Sequence, residues 1–208
     1  MYFNDKYYDA MVAPDGSSLK LSPCQGTLDK LKYFAVDGYN RPRYLALITL
    51  FNENDIFYIS KPETEFQLIP GDYNYGYDIS FNNKDQTLAR FYTEEKADFS
   101  SIETLMLGGP VEIEIKPSFN KVTQDIDVEI TVNTVRGHRM RTINDKENKE
   151  YDGPYIFISE IKNDEINNVG TTRFVGKGIF RGSVSASGMK SGKQYKIEVS
   201  YDTGAYQG

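Results

Sequence analysis

Residues 189–201 read M-K-S-G-K-Q-Y-K-I-E-V-S-Y, and this stretch decides the fold. Tyr195, Ile197, Val199 and Tyr201 alternate with Lys196, Glu198 and Ser200. A strand with that period turns one apolar face to a core and one polar face to water. Gly188 and Gly192, just upstream, supply turn positions. The same order occurs earlier, where Leu68-Ile69-Pro70-Gly71-Asp72-Tyr73 runs into Tyr75, Tyr77, Ile79 and Phe81 at every second position. The chain holds 16 Tyr and 12 Phe but no Trp, a balance that favours strands over helices.

Working outward, strand signals recur over 33–36, 44–51, 56–59, 65–69, 73–81 and 88–92, separated by Pro, Gly, Asn or Asp. Asp37-Gly38 marks a turn, and 44–51 is a nearly unbroken apolar run of core-strand length. Beyond residue 110, strict alternation at 111–115 and 126–132 is followed by strand signals at 154–161, 171–175 and 177–184. Between the two series, Ser100 and Glu103 have capping-box spacing, and Phe99, Ile102, Leu105 and Met106 fall on one helical face until Gly108-Gly109-Pro110. The pattern predicts an all-β chain of two tandem β-sandwich domains joined by one short helix. The expected boundaries are 1–97 for the first domain with its N-terminal arm, 98–110 for the helix and linker, and 111–208 for the second.

The order apolar residue, two residues, Gly, two residues, Tyr, carried by Met189, Gly192 and Tyr195, resembles the tyrosine corner of immunoglobulin-like and fibronectin type III sandwiches. Tyr73 heads its strand in the same way. The resemblance covers roughly 111–201 and implies that the second domain is immunoglobulin-like, although the Cys, Trp, Cys hallmark of antibody domains is missing. After the corner strand, 202–208 is short for a full final strand, which predicts an open sheet edge that invites a partner strand.

With 208 residues the chain can bury roughly 70% of its unfolded surface without staples. The formal charge of −6 argues against affinity for nucleic acid or anionic membrane. Cys24 is the sole cysteine, so no internal disulfide forms and no CxxC zinc pair exists. Residues 1–10 have neither a basic start nor an apolar run, which predicts no signal peptide and a cytoplasmic site of synthesis. No stretch approaches the roughly 20 apolar residues that span a bilayer.

No catalytic constellation stands out, and no cofactor or metal is expected. His138 sits among Arg136, Arg139 and Arg141, cations that disfavour the imidazolium, and no nucleophile is tied to it by a motif. The 30 carboxylates single out no acid and base pair. Asp and Asn clusters at 52–55, 82–85, 145–152 and 163–168 lack the spacing of an EF-hand and read as turn chemistry. No glycine-rich phosphate loop opens a helix. Tyr73, Tyr75 and Tyr77 could stack on sugars, but their alternation into Ile79 and Phe81 places them in the core.

Two groups are candidate partner-binding residues. The aromatic tip Tyr2, Phe3, Tyr7 and Tyr8 belongs either to an arm that docks on its own domain or a neighbour, or to an edge strand of the first sandwich. Arg136, Arg139 and Arg141, at the start of the highly charged loop expected over 137–153, form either a basic knob suited to pairing with carboxylates of another subunit or an ordinary solvated loop. Sandwich domains without a secretion signal or active-site signature resemble structural proteins of tailed-phage particles. That resemblance implies a non-enzymatic virion protein, a capsid decoration or tail and neck component, assembled in host cytoplasm and oligomeric through contacts with itself or other virion proteins. The alternative is a carbohydrate-binding or adhesive module, with Tyr58 and Tyr92 as further exposed contacts.

Overall fold

The computed structural model describes residues 2–3, 6–24, 28–53, 56–62, 64–81, 86–144, 147, 149, 153–161, 166–176, 178–201, 203–204 and 206. Among them the chain is all-β. The first three strands, β1 (Tyr2–Phe3), β2 (Lys6–Val12) and β3 (Leu19–Pro23), form a small antiparallel sheet of their own in the order β1-β2-β3. Pro14-Asp15-Gly16 turns β2 into β3, with Gly16 at φ 71° and Asp15 Oδ1 accepting from the Ser17 amide at 3.0 Å.

Eight strands follow before residue 110. They are β4 (Asp29–Val36), β5 (Pro42–Phe51), β6 (Ile56–Ser60), β7 (Glu65–Leu68), β8 (Asp72–Ser80), β9 (Thr87–Tyr92), β10 (Ala97–Asp98) and β11 (Thr104–Gly108). Seven more complete the chain: β12 (Val111–Asn120), β13 (Asp125–Thr134), β14 (Arg139–Ile143), β15 (Tyr155–Glu160), β16 (Ile166–Gly176), β17 (Ile179–Ser185) and β18 (Tyr195–Ser200). Pairing runs without a break in the order β11-β4-β5-β8-β9-β14-β13-β17-β16-β15-β18, and every pair on that path is antiparallel except β11 with β4.

Burial follows the period of two. In β8, Tyr73, Tyr75, Tyr77 and Ile79 are buried and face the core beside Ile48 and Leu50 of β5. In β13, Val128, Ile130 and Val132 do the same against Phe180 and Val184 of β17. The buried side chains of both series join in one contiguous cluster, because β14 pairs with β9 (Met140 opposite Phe91, Ile143 opposite Ala89) and carries the sheet across.

The helix expected after Phe99 does not form. Ser100, the expected cap, instead donates its amide to Asp98 Oδ1 at 2.8 Å in a turn, and 104–108 is strand β11. Leu105 and Leu107 are buried and Met106 points out, a period of two that is indistinguishable from one helical turn over so few residues. A single turn of helix satisfies few of its own backbone groups, whereas the β4 backbone offers a full row of partners from Lys32 to Val36. The stretch 137–153, expected as a charged loop, contains β14, so Arg139 and Arg141 stand on a strand and only Arg136 on a turn.

Candidate functional site

The arm is the first candidate. Its register sets Tyr8 opposite Pro23, Ala10 opposite Leu21 and Val12 opposite Leu19, so these six share one face of the β2–β3 ribbon. The other face carries Asp9, Met11, Lys20 and Ser22. Most of the apolar face is open to solvent: Val12 is 62% exposed, Leu19 52% and Leu21 42%. Tyr8 is half-buried. Tyr2, Phe3 and Tyr7 are placed by their backbone in β1 and β2, and their side chains lie outside what the structure describes. Val12, Leu19 and Leu21 thus form an exposed apolar strip on the small β1-β2-β3 sheet.

The second candidate is the polar knot where the two strand series meet. His138 is buried between two phenols, with Nε2 2.9 Å from Tyr75 Oη and Nδ1 2.7 Å from Tyr77 Oη. Tyr77 Oη also accepts the Gly108 amide at 2.8 Å. Burial, and next the Arg136 charge, lower the His138 pKa to about 4. Burial pushes Tyr75 up to about 12 and Tyr77 well above its usual value. With that lowered pKa the imidazole is neutral near pH 7, and its two phenol contacts tie the turn before β14 to β8.

The arginines divide. Arg136 donates to the Gly108 carbonyl at 3.0 Å and Arg139 pairs with Glu94 at 2.8 Å, both tying the second series to the first. Arg141 is exposed. The three do not converge as one knob. Sequence reasoning missed a neighbouring cluster at the same seam. Asp37, fully buried, accepts from the amides of Tyr39 and Arg41 at 2.9 and 3.0 Å and from the guanidinium groups of Arg41 and Arg43. Burial alone would raise its pKa, but these hydrogen bonds outweigh it and hold the carboxyl below the usual range. Arg41 also donates to the Gly204 carbonyl at 2.9 Å, and buried Tyr206 packs on Phe91, so the C-terminal segment is bound to the first strand series. An Asp-Gly turn flanked by two arginines was the available signal.

Both tyrosines singled out for strand heads bond backward. Tyr73 Oη donates to the Ile69 carbonyl at 3.0 Å, and Tyr195 Oη accepts the Lys190 amide at 2.8 Å. Gly192 takes φ 78°, a left-handed conformation that suits glycine. Tyr73 is buried whereas Tyr195 is half-exposed, so the two bonds carry different weight.

A polar cleft of about 650 Å³ lies on the outer face of β12, β13, β16 and β17, lined in part by Lys116, Asp127, Glu129, Arg173 and Arg181. Arg181 is paired with Glu129 at 2.7 Å, and no aromatic side chain lines the cleft. Tyr73, Tyr75 and Tyr77 are core residues; Tyr58 is exposed and Tyr92 half-buried. Among the described residues no group of three or more His, Cys, Asp or Glu gathers as a metal site, and no helix is long and apolar enough to cross a membrane. The Asp and Asn cluster at 82–85, most of that at 145–152 and residues 163–165 of the last fall outside the described residues. Comparison of the chain with protein-family models, with curated proteins and with solved structures finds no match.

Proposed function

We propose that this protein is a non-enzymatic structural component of a larger particle, of the kind found as decoration, tail or neck subunits of tailed phages. On this reading it works through contacts between subunits and assembles in host cytoplasm. The observation that carries the proposal is the uncovered apolar face of the β2–β3 arm. Leaving Val12, Leu19 and Leu21 in water costs free energy that only a partner surface recovers, at about 25 cal/mol per Å² of apolar area covered.

The same reading takes the chain as two tandem β-sandwich modules, the second immunoglobulin-like. Supporting it, β12-β13-β17-β16 follow one another as strands A, B, E and D of such a sandwich do, and β15 with β18 corresponds to C and F. The seam through β9 and β14 then acts as a rigid joint between modules.

Deleting residues 1–23 tests the proposal. The expected result is loss of concentration-dependent association in sedimentation velocity, and of ordered assemblies in electron micrographs, with the melting temperature of the remaining subunit shifted by only a few degrees. A chain that stays monomeric at every concentration and with every candidate partner protein, or a deletion that unfolds the rest, overturns it.

A further inference from the structure

We propose that the arm of one copy docks on the β18 edge of a second copy, with β3 as the strand added to the sheet. The inference rests on the assembly reading and specifies its receptor.

Strand β18 ends the run of paired strands, with β15 as its neighbour on one side and no strand on the other among the described residues. Its inward residues Ile197 and Val199 pack on the core yet are only half-buried, the state expected of core residues at an uncovered flank. Strand β3 ends the arm sheet in the same way, with β2 on one side and no strand on the other among the described residues. The two edges match in length, five residues in β3 against six in β18. They match in alternation, Leu19-Lys20-Leu21 against Ile197-Glu198-Val199, and Glu198, which pairs with Lys196 of its own strand at 3.2 Å, gives the outer face of β18 a carboxylate for Lys20 to share. Edge-to-edge pairing that sets the leucines beside Ile197 and Val199 puts Lys20 on the same outer face as exposed Glu198.

Competing edges fit less well. Strand β12 presents Glu112, Glu114 and Lys116 and is interrupted by Pro117, which has no amide to donate. Strand β6 already has β1 of its own arm against it. Main-chain hydrogen bonds between β3 and β18 supply affinity, and the leucine face supplies specificity. Because donor and receptor lie on different parts of one chain, the contact is head-to-tail and repeats from copy to copy into a ring or a filament.

Two populations of full-length chain, both carrying Cys24→Ser, provide the test. One bears Lys20→Cys, and the other bears a cysteine at 196, 198 or 200, the outward positions of β18. Under mild oxidation the mixture is expected to give a disulfide-linked heterodimer, strongest for Glu198→Cys. In the otherwise unmodified chain, Leu21→Asp is expected to weaken association about tenfold or more while leaving the circular dichroism spectrum unchanged. If Leu21→Asp breaks association but no cysteine on β18 cross-links, the arm docks elsewhere: this inference is overturned and the assembly reading stands. If the parent chain does not associate at all, with itself or with a partner, both fail.

Discussion

Tyr77 Oη sits 2.7 Å from His138 Nδ1 and, through the same oxygen, accepts the Gly108 amide. One phenol thus joins β8, the end of β11 and the turn before β14, three segments that are far apart in sequence. The joint is buried, so charging the imidazole there costs desolvation free energy, with the Arg136 charge adding to that cost.

Acid should therefore loosen the seam. The His138 pKa in the folded chain lies near 4 against 6.5 when unfolded, so the unfolded state binds the extra proton first. Its contribution is fully present above pH 6.5 and is lost as pH falls towards 4, amounting to roughly 3 kcal/mol over that window. Denaturant melts from pH 7 to pH 4 of the parent and of His138→Gln check this. The parent should lose stability more steeply, and parallel curves would refute the assignment.

Two phenol-to-phenyl substitutions should act in opposite directions. Tyr77→Phe strands the Gly108 amide and His138 Nδ1 in a buried place, at a cost of about 1 to 3 kcal/mol. Tyr206 is equally buried, but its hydroxyl has no partner among the described residues, so Tyr206→Phe should be neutral or stabilising by up to about 1 kcal/mol. Thermal melts of the two variants side by side decide it.

The strand-head tyrosines should also separate. Tyr73→Phe removes the donor to the half-buried Ile69 carbonyl beside a fully buried ring and should cost about 1 to 2 kcal/mol. Tyr195→Phe removes a bond at a half-exposed site where water can replace it, so about 0.5 kcal/mol is expected. Equal losses by chemical denaturation would contradict the difference in burial.

Gly108 has φ 75°, and a methyl group there would run into the Val36 carbonyl oxygen. Gly108→Ala should thus pull β11 away from β4 and destabilise by about 2 kcal/mol or more. Hydrogen exchange should show faster exchange at 104–108, while Gly137→Ala, with open space around its Cβ position, perturbs that segment little.

Much of the strand layout is legible in the chain itself. The alternation of Tyr73, Tyr75, Tyr77 and Ile79, or of Val128, Ile130 and Val132, is a local property, because side chains on a strand change faces at every residue whatever lies opposite. Asp and Gly turns are local for the same reason, as their backbone preferences do not depend on distant partners. What only the tertiary structure decided is everything that depends on which strand meets which. Residues 104–108 carry a pattern that suits one helical turn or a short strand equally, and parallel pairing with β4 settled it. Arg136, Arg139 and Arg141 are close in sequence yet are drawn apart by Gly108, Glu94 and solvent. His138 finds Tyr75 and Tyr77 more than sixty residues away, and Val12, Leu19 and Leu21 of the arm stay exposed. Periodicity specifies which face is greasy; pairing across the chain specifies what covers it, and that depends on contacts no local window contains.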